Sequence, residues 1–347
     1  MATRPSDERL GRALTLARAG RMAEMRRDLG GALSSYLEAR NLLADVQPTP
    51  LLSKVLRWEG TVLRDRGDLD AADQRYVESL EVAAATESLS DQAAGTNCRA
   101  VIAQRRGAVD EATKLYGCAA RLAIEAGEIR LAGMIEQNLG VLANIRGDLV
   151  QARLHYEAAL EALEEAGDRR VTSWVLNNLG MLLNDLEQPS RAEVVLRRGL
   201  SIARSRRDRP LEGILLSNLA EGLIAMGRWE EASTSLDHAF EIACEGEDFS
   251  RAAEALKFLG VLEREQGQAP TALRRFHEAL SVAESVNDGL LVGEILFARG
   301  ELHLRHGSDA QAADDWQKAL VAFAAAGAAR DAALVRRRLD DLGHVGS

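Results

Sequence analysis

No run of about eighteen apolar residues occurs in the 347-residue sequence, so no membrane-spanning helix is encoded. The first ten residues are polar and lack the apolar core of a secretory signal. Cysteine is scarce. Cys98, Cys118 and Cys244 are odd in number and form no CxxC pair, which excludes a disulfide framework and a thiolate zinc site. Aromatic residues make up only 4% and β-branched runs are few, which excludes the strand-rich blades of a propeller. Basic residues are outnumbered, 43 against 53 acidic, and the formal charge of −10 repels phosphate backbones and anionic lipid. There is no glycine-rich phosphate loop, nucleophile elbow or HExxH motif. His303 and His306 lie beside Glu301 without a third ligand of metal-site type. The expectation is a cytoplasmic, non-enzymatic protein without cofactor or metal, binding neither nucleic acid nor membrane.

What is abundant is one spacing. Ala32, Ala72, Ala112, Ala152, Ala192, Ala232, Ala272 and Ala312 recur every forty residues. Four residues after each stands a large side chain: Tyr36, Tyr76, Tyr116, Tyr156, Leu196, Leu236, Phe276 and Trp316. Twelve residues before each alanine stands Gly20, Gly60, Ala100, Gly140, Gly180, Ala220, Gly260 or Gly300. A fixed period of this length signals a stacked array, in which each unit contacts only its neighbours.

Each unit parses as two helices. Arg130 to Arg146 and Leu149 to Ala166 carry leucines at helical spacing, and Gly147-Asp148 and Gly167-Asp168 end them. Glycine there suits a left-handed residue, and the aspartate caps the next helix. Pro5, Pro48, Pro50, Pro189, Pro210 and Pro270 all fall between helices or in a first turn, where a missing N–H costs nothing. The small-residue rows have a packing reason, because helices eight to ten Å apart need small side chains at closest approach.

These rows resemble tetratricopeptide repeats: a small residue midway in the first helix, alanine early in the second, and a large residue four later. The resemblance covers roughly residues 8 to 342. The repeat is forty residues rather than the family's 34, and leucine (Leu16, Leu56, Leu176, Leu216, Leu256, Leu296) stands where the family has tryptophan. Both features are similar to the long-repeat members found in kinesin light chains, polarity adaptors and maltose-activator-type bacterial sensors. The resemblance implies an all-α fold, a right-handed α-α superhelix. Eight helix-turn-helix repeats would occupy residues 8–327, and a capping helix with a short tail 328–347. That capping helix is expected from about Asp331 to Leu342, with Val335, Leu339 and Leu342 covering the last repeat.

In such arrays the first helix of each pair lines the concave face. Residues two before the mid-helix small residue then point inward: Arg18, Trp58, Cys98, Asn138, Asn178, Asn218, Phe258 and Ala298. Three consecutive asparagines, with Asn97, Asn144, Asn177 and Asn184 close by, form the sharpest signal, because asparagine is a poor helix former. An amide donates and accepts together, and so can grip a peptide backbone. The same amides could instead bridge adjacent helices. Trp58 and Trp174, with Phe258 and Phe297 at the far end, offer aromatic surface. Arg57, Arg64 and Arg105 make the early groove positive, and Glu221, Glu254, Glu265, Glu294 and Glu301 make the late groove acidic. The first reading is a scaffold or adaptor holding an extended protein or peptide segment in the groove. The alternatives are a ligand-sensing module of a bacterial regulator and a self-associating array.

Overall fold

Alanine and leucine build the helices here, and glycine and aspartate divide them. The computed structural model, which describes residues 5–44 and 48–345, contains seventeen α-helices and no strand among the described residues. They are α1 (Pro5–Met25), α2 (Leu29–Leu43), α3 (Pro50–Asp65), α4 (Leu69–Ala85), α5 (Leu89–Arg105), α6 (Val109–Glu125), α7 (Ile129–Ile145) and α8 (Leu149–Glu165). There follow α9 (Arg169–Asp185), α10 (Pro189–Ser205), α11 (Arg209–Ala225), α12 (Trp229–Glu245), α13 (Phe249–Glu265), α14 (Ala269–Ser285), α15 (Gly289–Arg305), α16 (Asp309–Ala325) and α17 (Ala329–Val345). The fold is all-α, of the expected helical-repeat class.

The turns follow the expected chemistry. Gly67, Gly107, Gly147, Gly227, Gly267 and Gly307 all have positive φ. At the two repeats that lack this glycine, Arg27 and Glu187 adopt the same left-handed conformation at φ 60° and 56°. Side chains of Asp28, Asp68, Asp208, Asp248 and Asp288 accept hydrogen bonds from the backbone N–H three residues on, satisfying donors that a helix start leaves unpaired. Pro189, Pro210 and Pro270 sit in first turns.

The chain divides into two compact units. One runs to Leu142 and includes Ala158–Asp168; the other takes Ala143–Glu157 and everything from Arg169. Within each unit, consecutive helices pack as antiparallel hairpins. The alanine row is completely buried, and so are Tyr36, Tyr76, Tyr116, Leu196, Leu236, Phe276 and Trp316. The mid-helix glycines exist because of those large side chains. A Cβ on Gly260 would stand 2.8 Å from the Phe276 ring, and one on Gly60 2.6 Å from the Tyr76 ring. Buried phenols find polar partners on the helix before: Tyr36 donates to Glu24, and Tyr116 donates to Gln104 at 2.8 Å. Burial pushes both phenols' pKa values up.

Helix α17 covers the last repeat, with Val335 buried and Leu339 and Leu342 packed against the core cluster that includes Trp316 and Phe323. It is longer than the Asp331 to Leu342 span read from the sequence. It starts right after the left-handed turn at Gly327, and Gly343 does not end it.

Candidate functional site

Odd-numbered helices touch the next odd-numbered helix as well as their hairpin partner: α1 with α3 and α3 with α5 in the first unit, α9–α11, α11–α13 and α13–α15 in the second. They form the more tightly drawn layer of each unit, as the repeat pattern implied for the first helix of each pair. In the second unit this layer borders a cavity of about 470 Å³ that is open to solvent. Asn218, Phe258 and Ala298, three consecutive members of the row read as inward-facing, all line it. So do Phe297, Glu221, Glu254, Glu294 and Glu301. Glu265, grouped with them from the sequence, does not; it bonds Arg264 at 2.9 Å and Arg305 at 2.8 Å.

Ten cavity residues were not picked out as inner-face residues in the sequence, among them Met181 and Asp185 at the end of α9, Lys257 and Arg264 on α13, and Asp331 on α17. Lys257 sits one residue before Phe258 in a row that reads Asn97, Gln137, Asn177, Ser217, Lys257, and a cation in that polar row was its only signal. The contribution of α17 needed tertiary structure, because Arg330 reaches Asp185, 145 residues earlier, at 2.9 Å.

The charges are mostly paired. Lys257, 8% exposed, donates to Glu294 at 2.5 Å and lies 4.3 Å from the Phe258 ring centroid. Burial alone would lower its pKa, but Glu294, Glu254 and Glu221 together hold it above the ordinary lysine value. Arg251 bonds Glu254 at 2.8 Å, and Arg338 approaches Glu301 Oε1 at 3.2 Å without hydrogen-bond geometry. Arg264 donates to the Ala298 carbonyl at 3.2 Å, and burial lowers its pKa. Glu221 differs: among the described residues it accepts only from Asn184, at 3.1 Å, and burial raises its carboxyl pKa. Asp331 is also raised, by burial and then by Glu294.

The asparagines of the second unit join helices. Asn218 Nδ2 donates to Asn177 Oδ1 at 2.8 Å, and Asn184 Nδ2 donates to the Asn218 carbonyl at 2.9 Å, tying α9 to α11. Asn177 is 3% and Asn218 5% exposed, whereas Asn178 is half-buried. Asn144 and Trp174 are half-buried too, and Asn144 Oδ1 is buried without a hydrogen-bond partner.

In the first unit, Trp58 packs on the core, 6.0 Å from the Tyr36 ring and with Arg21 5.5 Å from its own. Arg57 lies 3.9 Å from Asp91, Arg64 bonds Asp65 at 2.7 Å, and Arg105 is exposed at the end of α5. Asn97 is buried with an unpartnered Oδ1, and Asn138 is half-buried. Burial raises the Cys98 thiol, against the pull of Arg57 and Arg64, so it is not an activated nucleophile. No cluster of three metal-ligating side chains exists among the described residues, and His303 instead lies 3.7 Å from Asp315. No helix among the described residues is long and apolar enough to cross a membrane.

Residues 130–205 and 211–285 match the tetratricopeptide repeat family. No curated protein matches the sequence. Among solved structures, the chain is similar to a signal-transduction ATPase with a tetratricopeptide repeat sensor from Pyrococcus horikoshii. That pair has TM-score 0.65 and 17% identity, over 99% of this chain and 50% of the other. The apo quorum sensor NprR from B. thuringiensis gives TM-score 0.64 and 12% identity over 97% and 99%. A Rap protein complexed with competence and sporulation factor gives 0.58 and 14% over 98% of each chain. At these identities the likeness is one of fold, and it agrees with the repeat rows and the helix pairs. Residues 130–205 and 211–285 are tetratricopeptide repeats by that match, and the chain as a whole has a fold of the tetratricopeptide-repeat type.

Proposed function

We propose that this chain is a non-enzymatic binding module that receives a peptide or an extended protein segment on the inner face of its second unit. The observation that carries this reading is the cavity of about 470 Å³. Its walls come from the inner-layer helices α9, α11, α13, α15 and α17, with Phe323 of α16 the one exception. A recess of a few hundred Å³ that combines apolar surface with convergent polar groups is the usual form of a ligand site. Its apolar surface is supplied by Phe258, Phe297, Val261 and Leu334. Asn178, half-buried on α9, is the amide we assign to backbone contact, because the Asn218 Nδ2 is already spent on Asn177. The fold neighbours add support, since they include a quorum sensor and an ATPase with a repeat sensor.

A sensor rather than a passive scaffold is favoured by one feature. Asp331, Leu334 and Val335 of α17 line the cavity, and Val335 also belongs to the core that closes the last repeat. A ligand would therefore press on the final helix directly.

The test is to pan a random heptapeptide display library on the purified chain and on Val261→Trp, whose indole fills the recess. Peptides should be enriched on the native chain and lost on the variant, with helicity and melting unchanged. Failure to enrich any peptide, or equal binding by Val261→Trp, refutes the proposal.

A further inference from the structure

Six carboxylates line the cavity of the second unit: Asp185, Glu221, Glu254, Glu294, Glu301 and Asp331. Four of them face a cation supplied by the chain itself, from Arg330, Arg251, Lys257 and Arg338 in turn. Glu221 and Asp331 have no cation within 4.0 Å among the described residues. Both are half-buried and feel a cation only from farther off, Lys257 for Glu221 and Arg330 for Asp331. A half-buried carboxylate with no cation in contact is only partly compensated, which leaves it able to take one from a ligand.

A second, separate feature points the same way. Asn218 is 5% exposed and lines the cavity. Its Nδ2 is spent on Asn177, while its Oδ1 accepts no hydrogen bond among the described residues. Three acceptors therefore remain open in a recess whose other wall is the Phe258 and Phe297 rings. Phe258 already carries the Lys257 ammonium against its face. At the rim, Asp185 already holds a guanidinium, that of Arg330. Acceptors without donors, beside aromatic surface, are complementary to an ammonium or guanidinium on an aliphatic stem.

We infer that the cavity selects a basic peptide, taking a lysine or arginine side chain whose stem lies on Phe258 and Phe297 and whose charge is met by Glu221, Asp331 and the Asn218 side-chain Oδ1. This rests on the peptide-binding reading above and specifies its ligand class. The unpaired carboxylates supply the attraction, and because the recess is open to solvent that attraction weakens with salt.

The experiment uses the intact chain. Heptapeptides enriched from a random library are sequenced, and the strongest is synthesised with a fluorescent label, together with a copy in which each Lys and Arg is replaced by Gln. Binding is measured by fluorescence polarisation at low and high salt, to the native chain and to the double variant Glu221→Gln with Asp331→Asn. Lys and Arg should be enriched. The native chain should bind the basic peptide at least about tenfold more tightly than its neutral copy, as a charge-assisted hydrogen bond requires. The double variant should lose that preference, and salt should weaken only the basic peptide. The comparison of peptides on the native chain needs no variant to fold. Peptides that bind without basic residues, or a basic peptide indifferent to the double variant, overturn this inference and leave the peptide reading standing. A library that yields no binder at all overturns both.

Discussion

Replacing Gly60 by alanine should destabilise the chain, and replacing Gly117 by alanine should stabilise it, although both lie inside helices. Alanine is favoured over glycine in a helix interior by about 1 kcal/mol. At Gly117, in the middle of α6, a new Cβ meets nothing within 4 Å, so that gain should appear nearly whole. At Gly60 the Cβ would stand 2.6 Å and 2.9 Å from two Tyr76 ring carbons and 3.1 Å from the Ala72 carbonyl oxygen. The ring has no free side to retreat to, because Tyr76 is 0% exposed and its hydroxyl donates to Thr61 at 3.4 Å. Overpacking of this kind costs about 1–3 kcal/mol. The helix preference returns about 1 kcal/mol of it, leaving a net loss of roughly 1 kcal/mol. Urea unfolding followed by far-UV circular dichroism measures both, provided the slope stays constant so that the midpoint reports stability. Equal stabilisation by both substitutions would refute the claim that the mid-helix small row exists to admit the large row.

Three further outcomes follow from other positions. Glu187 holds φ 56° at a turn where most repeats have glycine, so Glu187→Gly should raise stability by about 1 kcal/mol in the same urea assay; an unchanged midpoint would count against stored strain. Glu59 is 4% exposed, and burial raises its pKa even though Arg40 and Arg75 lie 3.4 Å and 3.2 Å away. Those arginines are about a quarter exposed and so screened by water, which is why burial wins. A carboxyl whose folded pKa is raised holds its proton longer folded than unfolded, so its contribution to stability falls as pH rises from 4.5 through the folded value and recovers on acidification. Glu59→Gln should flatten that segment of the stability–pH curve, and an identical curve would refute the assignment. Asn177 and Asn218 should show a coupling of about 1 kcal/mol in a double-mutant cycle of unfolding, and strict additivity would mean the 2.8 Å bond contributes nothing.

How much of this was legible beforehand depends on the range of the interaction. Helix ends, left-handed turns, aspartate caps and the buried alanine and large-residue rows depend on residues at most one repeat apart, and the period displays each of them several times over. Part of the inward row was legible for the same reason: Asn218, Phe258 and Ala298 share one helical phase and line the cavity, whereas Asn178 of the same row does not. The asparagines show where that reasoning thins. Their phase put them near the inner layer, but whether an amide faces a ligand or a neighbouring helix turns on a side-chain torsion, which periodicity does not encode. Asn177 and Asn184 spend their amides on neighbours, and Asn218 spends half of its own.

Sequence alone therefore determined the helical hairpins, their stacking contacts and the sign of charge on the late inner face, because each is a local or nearest-neighbour property repeated in register. Tertiary structure decided which carboxylates are paired and what closes the cavity. Arg330 meeting Asp185 across 145 residues, and α17 bringing Asp331 beside Glu294, depend on how small per-repeat rotations add up within the second unit. No single repeat carries that sum.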